Sequence, residues 1–200
     1  MRLFYSPTSP YARKVRLLIL EKGLQDQIDM VVVLPMEDNR GVTPLNPLGK
    51  IPTLETADGQ GLYDSPVICA YLDTLNQTPQ LIPSGAERWS VLRQEALTDG
   101  LLDTALVLVK EYLRPEEMQS SQWLAHWHGT IQRTLDHLEQ QQPAYQGTLT
   151  LAQLALGATL GYLDFRLPQL AWRQQRPQLQ QWYTELAQRP SMLATCPPTS

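Results

Sequence analysis

Apolar positions follow one rhythm up to about residue 80 and another beyond it. In the first part the apolar runs are short and β-rich. Arg2–Tyr5 and residues 28–34, the latter containing Val31-Val32-Val33, predict two neighbouring strands, the second of them buried. Between them an apolar helical pattern runs from about residue 10 to 22 and stops at Gly23, which completes a βαβ unit. A Pro/Asn/Gly-rich stretch, 35–50, leads to a strand at 51–55. The turn Ala57-Asp58-Gly59-Gln60 joins that strand to Gly61-Leu62-Tyr63 as a hairpin, and the run 67–75 predicts the closing helix.

Residues 77–85 carry two prolines and a Ser-Gly pair, and every pattern after them is helical. The spacing predicts a boundary near Ser84 and helices over 87–113 and 120–142, with a third from Leu149-Thr150 and a fourth near Arg176-Pro177. In the third, Thr150 as N-cap with Gln153 three residues on predicts a capping box, with Leu149 and Leu154 placed to close a hydrophobic staple. That helix is apolar nearly all round (Leu151, Leu154, Ala155, Ala158, Leu160, Gly161), which places it in the middle of the helical part.

Composition narrows the function classes. With 200 residues and 42% hydrophobic content the chain can bury a core without disulfide or metal support. A formal charge of -4 and a pI near 5.4 leave no basic footprint for nucleic acid or for anionic lipid. The first residues lack the apolar segment of a secretory signal, and no stretch has the ~18–20 apolar residues of a membrane span. Cys69 and Cys196 form neither a disulfide framework nor a metal cluster, so a reducing cytoplasm is the expected location. His126 and His128 are two apart and do not share a helical face, and no metal is expected.

The candidate chemistry lies at two helix starts. In Tyr5-Ser-Pro-Thr-Ser9-Pro10, Ser9 is a favoured N-cap and Pro10 suits the first helical position; Ser65-Pro66 repeats the pattern before the run 67–75. Unpaired N–H groups and the helix dipole make each start receptive to an anion. The tetrapeptide Ser9-Pro10-Tyr11-Ala12 has no sulfur where a dithiol motif carries two, so disulfide exchange at that site is excluded.

With Asn46-Pro-Leu-Gly-Lys50-Ile51-Pro52-Thr-Leu54, Tyr63-Asp64-Ser65-Pro66, Pro177-Gln-Leu-Gln-Gln-Trp182-Tyr183 and Ala187-Gln-Arg-Pro190, the whole chain resembles the cytosolic glutathione S-transferase family. The resemblance implies a bacterial member with a thioredoxin-like α/β domain over 1–78, a linker over 79–85 and an all-helical domain over 86–200. It also implies a homodimer acting in detoxification. The spacing of Ser9 ahead of Arg13 is similar to the serine-type theta and zeta groups, which implies Ser9 as the residue activating the glutathione thiol; Ser6 and Thr8 are rival hydroxyls in the same turn. In the family the bond at Ile51-Pro52 is cis, and the Ile51 backbone would pair with the cysteinyl unit of glutathione by strand addition. Ser65 would take the γ-glutamyl carboxylate, Asp64 its ammonium, and Lys50 the glycyl carboxylate. A small hydrophobic electrophile would lie between the first helix and the long helix after the linker, walled by Tyr11, Leu108 and Tyr112.

The implied reaction is attack of the glutathione thiolate on an electrophilic carbon, with glutathione as co-substrate and no metal. Two other functions fit the same resemblance: a non-catalytic stress or regulatory protein acting by protein binding, and a glutathione-dependent isomerase or dehalogenase. Zeta chemistry carries a Ser-Ser-Cys run where this chain has Ser9-Pro10-Tyr11, and Gln153 stands where the family usually has an aspartate.

Overall fold

A computed structural model describes residues 1–34, 41–141, 145 and 147–198. The expected helix end at 142, and residues 35–40 of the connecting stretch, lie outside the described residues. The chain divides into two units, Met1–Arg88 with Pro190–Ser200, and Trp89–Arg189.

The first unit contains β1 (Arg2–Tyr5), α1 (Pro10–Glu21), β2 (Asp29–Val32), β3 (Thr53–Glu55), β4 (Gly61–Leu62) and α2 (Ser65–Thr74). The strand order is β2-β1-β3-β4, with β1 parallel to β2 and antiparallel to β3, and β3 antiparallel to β4. α1 buries Ala12, Val15, Leu18 and Ile19, the spacing of one helical face, while Leu3, Leu54, Ile68 and Leu72 are fully buried in the same unit. Lys22 caps the C-terminus of α1, and Gly23 follows at φ 64, a conformation that costs glycine nothing.

The expectation that 28–34 is a buried strand is corrected. β2 lies beside β1 as expected, but it is an edge strand, with Met30 40% and Val32 55% exposed. β-branched residues favour any pleated strand, and propensity does not specify how many neighbours the strand will have.

One charged pair ties the end of the unit together. The buried Lys22 ammonium donates to Asp73 Oδ1 at 2.8 Å and to the carbonyls of Asp73, Asn76 and Pro79 at 2.9, 3.1 and 2.7 Å. The Asp73 carboxylate in turn accepts the N–H groups of Leu81 and Ile82 at 3.0 and 2.9 Å. The proline-rich segment after α2 is thereby fixed to the ends of both helices.

The helical part begins with α3 (Ala86–Tyr112) and continues through α4 (Ser121–Gln140), α5 (Leu151–Arg166) and α6 (Pro177–Leu186). α5 is buried continuously from Leu151 to Leu163, as its all-round apolar pattern predicts. At its start, Gln153 Oε1 accepts both the backbone N–H and the hydroxyl of Thr150, and Gln153 Nε2 donates to the Tyr145 carbonyl at 2.9 Å. The Trp182 indole N–H donates to that same carbonyl at 3.0 Å. A neutral amide thus does the joining here, and the buried Tyr145 phenol beside it is pushed up to about 12 by desolvation. Among the described residues no helix is long and apolar enough to cross a membrane.

A short helix not expected from the sequence, α7 (Pro190–Ala194), packs on α1 and belongs to the first unit. The expected helical domain over 86–200 therefore includes residues that return to the α/β unit.

Candidate active site

Strand register brings the candidate residues of the first unit to one end of the sheet. β1 runs out at Tyr5 into the Ser6–Ser9 turn; Phe4 pairs with Thr53, so the antiparallel β3 starts beside that turn, with Ile51 and Pro52 just ahead of it. Leu62 pairs with Leu54, so β4 ends at the same edge and passes through Tyr63 and Asp64 into α2. Two helix N-termini and one strand entry therefore meet where the strands end, the usual place for a ligand in such sheets.

At the first helix start Ser9 is the N-cap, and its Oγ accepts the Ala12 N–H at 3.3 Å while its carbonyl accepts the Arg13 N–H at 2.9 Å. Accepting a bond leaves the hydroxyl proton available, and it has no acceptor among the described residues. The rivals are differently placed: Ser6 is buried, and its hydroxyl and that of Thr8 bond each other at 3.1 Å.

The loop before β3 is built on Asn46. Its buried amide donates to the Lys50 carbonyl and to Thr53 Oγ1, both at 3.0 Å, and accepts the Leu48 N–H at 3.0 Å; the Thr53 hydroxyl donates to the Lys50 carbonyl at 2.8 Å. Gly61 of β4 admits this loop, since a Cβ there would stand 2.1 Å from the Leu45 carbonyl oxygen. The Ile51–Pro52 bond is cis, Pro52 is buried, and Lys50 is exposed.

The second helix start departs from the first. Asp64, not Ser65, is the N-cap of α2, and its carboxylate accepts the Ser65 N–H. Ser65 is the first helical residue, fully buried, and its hydroxyl oxygen has no hydrogen-bond partner among the described residues. Buried polar atoms are rarely left this way, and an orphan at an anion-receptive helix start points to a missing partner.

Residues 8–75 match the N-terminal domain model of the glutathione S-transferases, and residues 121–185 match the C-terminal domain model. The chain belongs to the glutathione S-transferase family. The GST-like protein YibF of Escherichia coli is 38% identical over 99% of both chains. A glutathione transferase family member from Pseudomonas fluorescens Pf-5 is 42% identical. Its structure with bound glutathione has a TM-score of 0.95 over 99% of both chains, and that with bound S-(propanoic acid)-glutathione 0.91 over 100% of both. The maleylacetoacetate isomerase of Pseudomonas aeruginosa is 33% identical over 63% of this chain and 62% of its own length.

The remaining site candidates of this glutathione S-transferase family member are spread over both units. Tyr11 is half-buried in the first turn of α1; Leu108 is fully buried on α3; Tyr112, near the end of α3, is 37% exposed, and its hydroxyl shares a 2.6 Å hydrogen bond with His128 Nε2. Trp123 and Trp127 stack at 5.6 Å between centroids, with Trp123 54% exposed. Two residues in the α/β unit were given no role by the sequence. Asn46 organises the loop that presents Ile51, and the Asn-Pro turn dipeptide is the signal that marks it. Arg13 is buried, with its guanidinium on the C-terminal residues, and no local pattern announces a partner so far along the chain.

Proposed function

We propose that the protein is a glutathione transferase in which Ser9 donates a hydrogen bond to the glutathione sulfur and holds it as thiolate for attack on a small electrophile. The unpartnered, buried Ser65 hydroxyl at the start of α2 carries this reading, because a glutathione carboxylate supplies the acceptor it lacks. Asp64, half of whose carboxylate is used by the cap, faces the ammonium; Ile51 offers its backbone to the cysteinyl unit, and Lys50 the charge for the glycyl carboxylate. Glutathione bound in the Pseudomonas fluorescens relative supports glutathione as the ligand.

A free thiol has a pKa of about 8.5, and each unit of depression corresponds to ~1.4 kcal/mol of preference for the anion. One charge-assisted hydrogen bond of about 1.5–3 kcal/mol, with ~0.3–1 from the helix start, suffices for one to two units. Tyr11, in the first turn of α1, is the proposed apolar contact for the electrophile on the α/β unit. The same relative also binds a glutathione thioether, S-(propanoic acid)-glutathione, which supports a reaction at the glutathione sulfur. An isomerase reading draws on the Pseudomonas aeruginosa relative, whose match stops at about two thirds of either chain.

Calorimetric titration with glutathione tests the proposal: saturable one-site binding is expected, and absence of heat and of any thermal stabilisation would remove every glutathione-dependent reading. The working form is proposed to be a cytoplasmic homodimer, two-fold pairing being the usual closed symmetry. A monomeric mass by light scattering at micromolar concentration would overturn that assignment.

A further inference from the structure

Two arginines of α1, the helix capped by Ser9, donate hydrogen bonds to α7 and to Thr195 just after it. Arg13 is 4% exposed; its Nε donates to Thr195 Oγ1 at 3.3 Å and its NH2 group to the Met192 carbonyl at 3.1 Å. Arg16, stacked over the Tyr5 ring at 4.9 Å, donates to the Ala194 carbonyl at 3.4 Å. The Thr195 hydroxyl is fully buried and acts as a relay, accepting from Arg13 and donating to the Ser191 carbonyl at 2.8 Å, while Ser191 Oγ donates to Glu21 at the other end of α1.

Arg13 is held at both ends. Its side chain is fixed by the C-terminal residues, and its backbone N–H closes the first turn of α1 on the Ser9 carbonyl at 2.9 Å. Arg16 ties the same segment to Tyr5, the last residue of β1 before the turn that carries Ser9. We infer that residues 190–196 are a positioning element for the Ser9 helix start, with Thr195 as a positioning residue acting through Arg13. Any effect on the sulfur rests on the proposed role of Ser9; the effect on the helix start does not. Residues Trp89–Arg189 make up the rest of the helical part, so the last turn of the chain supports a site built from its first residues.

Thr195→Val tests this, because valine keeps the shape and leaves the buried Arg13 N–H without its acceptor. Native-state amide exchange is read at Ala12 and Arg13, whose N–H groups bond Ser9, and at Ile68 and Leu72 of α2 as an internal reference. Loss of a hydrogen bond to a charged group corresponds to about tenfold faster exchange at Ala12 and Arg13, with the α2 amides unchanged. Thr195→Ser, which retains the hydroxyl, restores slow exchange. Unchanged exchange at Ala12 and Arg13, or an equal rise at the α2 amides, would overturn the positioning role, the second by showing that Thr195 serves stability alone. In parallel, the ultraviolet thiolate absorbance of bound glutathione at pH 7 is expected to fall in Thr195→Val and to return in Thr195→Ser. Faster exchange with constant thiolate absorbance would leave the helix-start role standing and remove Ser9 from the sulfur.

Discussion

Ser9-Pro10 and Ser65-Pro66 are the same dipeptide at two helix starts, yet the two hydroxyls are used in opposite ways. At the first start Thr8 is also of a capping type, but its hydroxyl bonds that of Ser6; Ser9 takes the cap position, and its oxygen is engaged by the Ala12 N–H. At the second, Asp64 takes the cap position, the helix begins one residue earlier relative to the dipeptide, and Ser65 is carried inside with an idle hydroxyl. Whether the residue before a Ser-Pro pair takes the cap decides if the serine serves the fold or is left for something else. An engaged oxygen with a spare proton suits a group that must donate to a sulfur. An idle buried hydroxyl suits one that must meet a carboxylate.

The comparison breaks most visibly at Ser65. Ser65→Ala is expected to weaken glutathione binding by about 1–3 kcal/mol, the scale of a charge-assisted hydrogen bond, while leaving stability nearly unchanged because the hydroxyl has no partner among the described residues. Calorimetry and thermal melts on the one variant read both halves, and a large loss of stability with intact affinity would mean the hydroxyl is structural after all. Ser9→Ala should show the mirror image. Stability falls by about 0.5–2 kcal/mol from the lost cap, glutathione affinity changes little, and conjugation near neutral pH slows but partly recovers at high pH. The sign follows from the thiol: without the donor its bound pKa rises, so the thiolate fraction is lost at neutral pH and regained above the new pKa. A pH–rate profile identical to the parent's, with Ser6→Ala or Thr8→Ala losing it instead, would reduce Ser9 to a cap.

Much of this was legible in the residues. The strands, the helix starts at Ser9, Ser120 and Thr150, the stop at Gly23 and the buried α5 follow from local signals that act within one or two turns. What was not legible depends on contacts that no local pattern encodes. The exposure of β2 follows from its edge position, which local propensity does not encode. The seat of α7 on α1 depends on Arg13 meeting residues some 180 positions away, at a separation of 182 for Thr195. The use of Gln153 depends on the Tyr145 carbonyl lying within its reach. At Ser65 the signal was local but ambiguous, since Asp and Ser are equally good caps and only the folded chain shows which one is used.

The Lys22–Asp73 knot carries a consequence for how such a chain can change over generations. Replacing either residue alone by a neutral one strands a buried charge, and breaking a buried pair in this way costs about 3–5 kcal/mol. That is a large share of the ~5–15 kcal/mol by which a domain of this kind outweighs its unfolded state. An exchange of both for apolar residues of similar volume can be close to neutral, but the carbonyls of Asn76 and Pro79 and the N–H groups of Leu81 and Ile82 would then need new partners as well. Single-step loss of either charge is strongly disfavoured, so the two charges are expected to be kept or lost together, although no ligand is asked to touch them.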